Sequence, residues 1–253
     1  MQMFSPLESR GMNCVVVVLA GGMGTRIRHL LDNLPKPLAP VMGQPFLGWI
    51  LRFLSKQRLQ HIIFSTGYLA DKIETFASKN TLGLDLKCAR EDFQLGTAGG
   101  VLNALDKYGS DFDNILVLNG DSLALTDFNP LFVCLQDPFI KVAVLGVQVS
   151  NAERFGTLAM AEGGYLAGFK EKQTGSGLIN AGVYLFRKEV LEALPRGKSL
   201  SFELDVFPKL LMQNIPIKVI EVDAPFIDIG TEDSLADASL FIEKNYQCFK
   251  LGA

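Results

Sequence analysis

The chain has 253 residues, of which 48% are apolar and 20% charged, so it is long enough and apolar enough to bury a full core. Its 24 basic and 27 acidic residues give a net charge of −3, and no basic run is long enough to follow a nucleic-acid backbone. Apolar runs stop near seven residues, as in Cys14–Ala20, whereas a membrane-spanning helix needs roughly 18. We therefore expect a globular protein that binds neither nucleic acid nor membrane.

The four cysteines are scattered along the chain without C-x-x-C spacing, at Cys14, Cys88, Cys134 and Cys248. This pattern favours reduced thiols over disulfides and indicates no zinc site. Residues 1–11 also lack the apolar stretch of a signal peptide. The expected location is therefore the cytoplasm.

The predicted elements of the first half alternate between strands and helices. Apolar runs predict strands at Cys14–Ala20, His61–Gly67, Ile115–Asn119 and Val142–Val149. Helical spacing of apolar residues predicts helices at Phe46–Gln57, Tyr68–Ala77 and Thr97–Lys107, and Asp127 is expected to cap a helix that continues to Leu135. Such alternation is typical of parallel β-α-β units, so we expect an α/β fold with a Rossmann-like, mostly parallel mixed sheet flanked by helices.

After Val149 the chain changes to short β segments that are broken by Gly163-Gly164 and Gly175-Ser176-Gly177. Strands are predicted at Leu178–Phe186, Ile217–Val222 and Phe226–Ile229, and closing helices at Ser201–Met212 and Glu232–Asn245. We expect a single domain over residues 1–253, in which residues 12–149 form one half. Residues 150–253 would form a smaller β-rich lobe and the closing helices.

Three glycines directly follow the first predicted strand, in the segment Leu19–Arg26. Glycines there let the backbone approach a ligand and turn N–H groups toward phosphate oxygens, and Arg26 adds a cation at the end of the loop. A Walker loop is excluded because the required lysine is missing. A dinucleotide fingerprint does not fit either, because Ile27 replaces its third glycine and no acidic residue lies between Asp32 and Asp71. The loop predicts a nucleoside triphosphate site.

Two aspartates are associated with later apolar strands. Asp121 follows the strand that ends at Asn119, and Asp228 lies inside the predicted strand Phe226–Ile229. A buried lone carboxylate is costly, so a Mg²⁺ ion shared by both aspartates is one interpretation. The alternative is that Asp121 only opens a turn and Asp228 only caps the backbone of the last helix.

Two further segments carry polar groups suited to a base and a sugar. Glycines in Glu91–Gly100 allow a planar base to lie against the backbone, although the same segment could simply start a helix well. The charged triplet Lys170-Glu171-Lys172 is by itself typical of a solvated hairpin. Asn180-Ala181-Gly182 follows it and offers an amide and a close backbone approach that suit sugar hydroxyls.

These motifs resemble those of the sugar-1-phosphate nucleotidyltransferases, whose hallmark is L-A-G-G-x-G-T-R followed by P-K-P-[LM]. The chain has Leu19–Arg26 and Pro35–Leu38 in that order, and the agreement continues through Gly96–Gly99, Asn119–Asp121, Phe155–Thr157, Glu171-Lys172, Asn180–Gly182 and Phe226–Thr231. Within the family, Arg26–Arg28, Asp32–Val41 and Gln44–Leu47 look most like the D-glycero-α-D-manno-heptose 1-phosphate guanylyltransferases. The resemblance implies the family's fold, with its smaller sugar-binding lobe. It also implies that a sugar 1-phosphate and a nucleoside triphosphate are converted to a nucleotide-sugar and pyrophosphate.

The resemblance also implies a role for each motif residue. Arg26 and Lys36 are expected to be the catalytic cations, on the α- and β-phosphates and on the α-phosphoryl group respectively. Asp121 and Asp228 are expected to bind Mg²⁺, the implied cofactor. Lys172 is expected to bind the sugar phosphate, and Gly156, Glu171 and Asn180 the sugar hydroxyls. The nucleotide would be bound by Leu19, Ala20, Gly21, Gly22, Gly24, Thr25, Glu91, Gly96, Thr97 and Asn119.

The base is indicated by Glu91, which stands five residues before Gly96 where thymidylyl and uridylyl relatives often carry glutamine. A carboxylate only accepts hydrogen bonds, so it matches the adjacent N–H donors of guanine better than uracil. GTP and a sugar 1-phosphate are therefore the expected partners, and a homodimer is one option for the assembly. The alternatives are a mannose 1-phosphate guanylyltransferase, an N-acetylmuramate 1-phosphate uridylyltransferase and a catalytically silent regulatory relative.

Overall fold

The computed structural model describes residues 13–79, 82–170 and 174–251. The strands are β1 Cys14–Leu19, β2 Pro40–Val41, β3 Gln44–Pro45, β4 His61–Thr66, β5 Asp85–Arg90, β6 Asn114–Asn119, β7 Ser122–Ala124, β8 Val142–Val149, β9 Thr157–Ala161, β10 Tyr165–Lys170, β11 Gly177–Arg187, β12 Ile217–Val222 and β13 Phe226–Asp228. The α-helices are α1 Phe46–Lys56, α2 Ala70–Ser78, α3 Gly96–Tyr108, α4 Asn129–Cys134, α5 Lys188–Glu192, α6 Phe207–Met212 and α7 Glu232–Lys244. Within these ranges, no helix has the length and apolar character that crossing a membrane requires.

Nine of the strands form one sheet in the order β5-β4-β1-β6-β11-β8-β12-β10-β9. β5, β4, β1 and β6 are mutually parallel, and β8 and β12 are parallel to each other. β11 is antiparallel to both β6 and β8, and β10 is antiparallel to β12 and β9. The predicted Rossmann-like, mostly parallel mixed sheet is therefore confirmed, and strands from both halves of the chain belong to it.

The two faces of the sheet are buried in two apolar layers. In β1, Val16 and Val18 pack into the layer that contains α1 and α7, whereas Val15 and Val17 pack into the layer that contains α3 and α6. This division follows from the alternation of side chains along a strand. Burial on both faces explains why β1 is a continuous apolar run instead of an alternating one.

The largest difference from the predicted elements is the edge strand β5, which the sequence analysis missed. It carries the exposed charged residues Asp85, Lys87 and Arg90, and Ala89 is its one fully buried residue. Charged residues are common on edge strands because they discourage pairing with another chain. The same residues hide such a strand from a search for apolar runs.

The predicted helix Ser201–Met212 is divided into two parts. A π-helical turn at Phe202–Val206 precedes α6, which begins at Phe207 with Pro208 in its first turn. Proline has no N–H to donate, so it fits at the start of a helix but not in its interior. The turn places Glu203 beside β11, where its Oε1 accepts a hydrogen bond from the Tyr184 hydroxyl at 2.8 Å.

The start of α7 provides a test of this part of the fold. Thr231 Oγ1 accepts a hydrogen bond from the Ser234 N–H, and Thr231 N–H donates to Ser234 Oγ at 3.1 Å, which together form a capping box. We expect Thr231→Ala to lower the free energy of unfolding by about 1 kcal/mol, because the helix loses its capping oxygen. Urea unfolding would measure this change against Thr174→Ala, which alters an exposed threonine. Equal effects of the two substitutions would contradict the prediction.

Candidate functional site

A pocket of about 480 Å³ lies at the carboxyl ends of β1, β4 and β6. Ligands of open α/β sheets bind at this edge because the strand ends leave a crevice there. The pocket brings together most of the residues predicted to bind nucleotide, catalyse the reaction or bind metal: Leu19, Gly21, Gly22, Gly24, Thr25, Arg26, Lys36, Glu91, Gly96, Thr97, Asn119 and Asp121. Its lining also includes residues that the sequence analysis did not select: Ile27, Pro37, Ser65, Gln94, Ser199 and Gly230.

The glycine loop after β1 follows a path that side chains would block. A Cβ atom on Gly21 would lie 2.3 Å from Glu91 Oε1, and one on Gly24 would lie 3.0 Å from the Cβ of Lys36. Gly24 also has a φ of +57°, in the left-handed region. Gly22 has no atom within 4 Å of its missing Cβ and so faces open space. Ala20 belongs to the same loop, and its N–H donates to the Ser65 carbonyl at 2.8 Å.

Lys36 and Asp121 form an ion pair in the pocket. Lys36 begins a short 3-10 turn after Pro35, and its side chain is only 9% exposed. Its Nζ lies 2.6 Å from Oδ2 of Asp121, the residue that follows β6 after one glycine. A buried ammonium is costly unless it is paired, so this carboxylate holds Lys36 in its position at the pocket wall.

Asp228 is brought to the neighbouring segment by the two-stranded ribbon of β7 and β13. Ser122 pairs with Asp228, and the Ile229 N–H donates to the Asp121 carbonyl at 2.9 Å. Asp228 Oδ1 accepts hydrogen bonds from the Gly230 N–H at 2.9 Å and from Arg154 Nη2 at 2.8 Å. The two aspartates predicted to bind metal thus lie on hydrogen-bonded segments, and each is paired with a basic side chain.

Gly230 separates Asp228 from the pocket. A Cβ atom there would lie 2.9 Å from Asp228 Oδ1 and 3.2 Å from Arg26 Nη2. Asp228 itself lines an adjacent cavity of about 450 Å³ together with Arg154 and Ser234. In the part of the chain that the structure describes, no group of three or more metal-ligating side chains occurs. Two carboxylates nevertheless suit Mg²⁺, which usually takes one or two from the protein and completes its shell with phosphates and waters.

Glu91 is held firmly at the opposite side of the pocket. Its backbone N–H donates to the Thr66 carbonyl at 2.8 Å, and its Oε2 accepts a hydrogen bond from the Leu95 N–H at 2.8 Å. Burial raises the pKa of the Glu91 carboxyl above 4.5, and the Leu95 N–H opposes part of that shift. The side chain therefore presents a fixed acceptor beside Gly21.

A segment from the second half closes over the start of α3. The Leu200 carbonyl accepts hydrogen bonds from the N–H groups of Ala98 at 2.9 Å and Gly99 at 3.2 Å. Phe202 N–H donates to Thr97 Oγ1 at 2.9 Å. A Cβ atom on Gly96 would lie 2.5 Å from the Leu200 oxygen. The sequence motif Gly96–Gly99 signals this close approach, but no signal in the sequence identifies Leu200 and Ser199 as the partners.

The residues predicted to bind the sugar lie beyond this pocket. Asn180 N–H donates to the Gly156 carbonyl at 3.0 Å, so these two are neighbours. Their strand approaches the pocket at Gly182, whose φ is +70° and whose missing Cβ would lie 2.2 Å from Nδ2 of the pocket residue Asn119. Glu171, predicted to bind a sugar hydroxyl, and Lys172, predicted to bind the sugar phosphate, lie outside the described residues.

The raised pKa of Glu91 predicts a pH-dependent stability. A carboxyl whose pKa is higher in the folded protein stabilises the fold while protonated, and this contribution is lost as the pH rises through the folded-state pKa. Glutamine does not titrate, so we expect the stability of the wild type relative to Glu91→Gln to fall between acid and neutral pH. Urea unfolding of both proteins at a series of pH values would measure this difference in the free energy of unfolding. A difference that stays constant with pH would contradict the prediction.

Comparison with known proteins gives a family match over most of the chain. The family model described as nucleotidyl transferase matches residues 15–245. The chain is 34% identical over 223 residues to D-glycero-alpha-D-manno-heptose 1-phosphate guanylyltransferase of Aneurinibacillus thermoaerophilus, covering 88% of this chain and 95% of the relative. It is also 34% identical over 227 residues to mannose-1-phosphate guanylyltransferase of Mycobacterium tuberculosis, covering 88% of this chain and 63% of the relative.

Solved structures of two other proteins also superpose on most of the chain. HddC from Yersinia pseudotuberculosis, in a crystal structure complexed with GMP-PN, superposes with a TM-score of 0.80 at 31% identity, covering 89% of this chain and 98% of that one. A putative glucose-1-phosphate thymidylyltransferase from Bacillus anthracis superposes with a TM-score of 0.75 over 95% and 97% of the two chains. Its identity of 22% makes it similar in fold alone.

Proposed function

Because the chain belongs to the nucleotidyl transferase family, we propose that it joins a sugar 1-phosphate to a nucleoside triphosphate and releases pyrophosphate. The observation that carries this proposal is the convergence of the glycine loop, Arg26, Lys36 and Asp121 on one pocket. Such a pocket offers backbone N–H groups and two cations to a polyphosphate. The relatives at 34% identity, which are named as guanylyltransferases of sugar phosphates, support the same reaction class.

In the proposed reaction, a phosphate oxygen of the sugar 1-phosphate attacks the α-phosphorus in line, and pyrophosphate leaves. Both reactants are anionic, so the protein must mainly hold them in position and stabilise negative charge. Lys36 is held at the pocket wall by Asp121, which suits a role on the α-phosphoryl group. Arg26 is more exposed and stands beside Gly230, which suits a role on the leaving pyrophosphate.

We propose Mg²⁺ as the cofactor, held by Asp121 and Asp228. The fit rests on two aspartates on hydrogen-bonded segments, Asp121 directly before β7 and Asp228 at the end of β13, whose carboxylates would share one ion with substrate phosphates. When bound, the ion would reduce the repulsion between the two anionic reactants. In the structure Lys36 is paired with Asp121 and Arg154 with Asp228. When Mg²⁺ binds, each carboxylate would either bind the ion and its basic partner together or release that partner.

We propose GTP as the nucleotide. A guanine base presents two adjacent N–H donors, and the fixed carboxylate of Glu91 is an acceptor that can receive both. Glu91 lies between Gly21 and the start of α3, where the backbone can approach a planar ring closely. The named activities of the relatives and the GMP-PN bound to HddC support this choice.

For the sugar we propose D-glycero-α-D-manno-heptose 1-phosphate, with mannose 1-phosphate as the second candidate. The heptose relative is covered over 95% of its length, whereas the mannose relative is covered over 63%. Gly156 and Asn180 would contact the sugar, as would Glu171 and Lys172. Residues 12–149 would thus hold the nucleotide and residues 150–253 the sugar. A cytoplasmic location is part of the proposal because the substrates are intracellular metabolites and the four cysteines are unpaired.

Pyrophosphate release with GTP, UTP, CTP, dTTP and ATP, each paired with the heptose and mannose 1-phosphates, tests the proposal directly. GTP with the heptose substrate is expected to give the highest kcat/KM. We expect Glu91→Gln to lower kcat/KM for GTP by about ten- to a hundredfold, because hydrogen bonds to a charged acceptor are lost. Asp92→Asn changes the exposed neighbouring carboxylate and serves as the control. A preference for UTP in the wild type would overturn the assignment of the base.

Two of the charged groups of the pocket, Arg26 and Asp121, give a second test. We expect Arg26→Ala to lower kcat by ~10²–10³, because a cation that stabilises the transition state is removed. Asp121→Asn should cause a comparable loss that added Mg²⁺ only partly restores. Arg28→Ala is the matched control, because Arg28 is exposed and lies over the ring of Tyr68 at 4.8 Å. Loss of activity in Arg28→Ala equal to that in Arg26→Ala would contradict the assignment.

A further inference from the structure

A chain of hydrogen bonds connects Asn180 to the π-helical turn after Ser201. Asn180 Nδ2 donates to the Tyr184 hydroxyl at 2.7 Å, and that hydroxyl donates to Glu203 Oε1 at 2.8 Å. The second carboxylate oxygen of Glu203 accepts from Ser201 Oγ at 2.9 Å. Tyr184 is fully buried, so its hydroxyl depends on these partners and cannot turn to bulk water.

The direction of each bond in this chain is fixed. Burial and the nearby Glu203 carboxylate raise the pKa of Tyr184 well above 10, so the phenol keeps its single proton. An ionised carboxylate only accepts, so the proton points to Glu203 and the phenol oxygen must accept from Asn180. On its other side, Asn180 Oδ1 accepts from the Gly182 N–H at 3.0 Å. The amide is therefore held in one orientation from both ends.

The backbone of β11 is shaped to make this arrangement. Its pairing with β8 is interrupted between Asn180 and Tyr184, and Gly182 within this bulge has a φ of +70°. Bulges re-aim side chains and often lie beside functional sites. Asn180 remains partly exposed, with one N–H and one oxygen lone pair not used by these bonds. These are the groups that it can offer to a ligand.

We propose that Glu203 is a positioning residue for the sugar-binding wall. Through Tyr184 it holds the Asn180 amide with its NH₂ end, not its oxygen, toward the phenol. This inference rests on the proposed function, in which Asn180 contacts the sugar. Glu203 itself need not touch the substrate.

The proposal has a distinctive consequence when Glu203 is lost. The Tyr184 proton then has Asn180 as its neighbouring acceptor, so the amide is drawn to present its oxygen to the phenol. That rotation would set the amide NH₂ against the Gly182 N–H, two donors facing each other. The orientation of Asn180 is therefore disturbed. Removing the phenol hydroxyl as well removes the misdirected proton, and Glu203→Gln keeps an acceptor for it.

The test measures kcat and KM for both substrates in Glu203→Ala, Glu203→Gln, Tyr184→Phe and the double variant Glu203→Ala/Tyr184→Phe. We expect Glu203→Ala to raise the KM for the sugar 1-phosphate about tenfold and to leave the KM for GTP within about twofold. Glu203→Gln should stay within about threefold of the wild type. The double variant should resemble Tyr184→Phe more than Glu203→Ala, which is the non-additivity expected of coupled residues.

Glu192→Ala is the matched control, because it removes a half-exposed carboxylate that pairs with Lys188. Equal increases in both KM values, or a Glu203→Gln variant as impaired as Glu203→Ala, would overturn the proposal. Thermal unfolding of each variant separates this outcome from loss of folded protein.

A readout without catalysis keeps the inference separate from the proposed function. The side-chain amide signal of Asn180 in the NMR spectrum of ¹⁵N-asparagine-labelled protein can be assigned with Asn180→Asp. It is expected to shift in Glu203→Ala and to stay in place in Glu203→Gln. An unchanged signal in Glu203→Ala would overturn the positioning role. If the wild type released no pyrophosphate with any sugar 1-phosphate, the proposed function would fail, while this signal would still decide the role of Glu203.

Discussion

The parallel hydrogen bonding of β1 to β4 on one side and to β6 on the other is the constraint on which the whole site depends. It aligns three carboxyl ends at one edge, so that Gly21, Ser65 and Asn119 line the same pocket. The apolar layers on both faces hold these strands in register. The cations and carboxylates around the pocket can be placed accurately only because this edge is rigid.

Features that depend on local sequence were predictable. The glycine loop comes directly after a strand, and Asp121 follows another strand after one glycine, so the predicted parallel order of the strands places both at one edge. Features that depend on contacts between distant parts of the chain could not be predicted. Arg154 reaches Asp228 across 74 positions, and the segment around Leu200 reaches the start of α3 across about 100. No periodicity or motif spacing encodes such pairs, because they result from how the completed sheet packs.

The same distinction explains the errors in the predicted elements. Edge strand β5 has charged residues at three of its six positions and lacks the apolar run that identifies the central strands. The turn at Phe202–Val206 has the apolar spacing of a helix, but its geometry is set by Pro208 and by the bonds of Glu203 and Ser201. In both places tertiary contacts override the local preference of the chain.

The direct pairing of β6 with β11 has a consequence for motion. The strand that carries Asn119 and the strand that carries Asn180 are adjacent in one continuous ladder, and at Gly182 their atoms leave no room for even a methyl group. The two strands therefore cannot open as rigid halves about a hinge between Asn119 and Gly182. Any movement that admits a ligand to the pocket must instead come from the loops at its rim, because the paired strands move as one body.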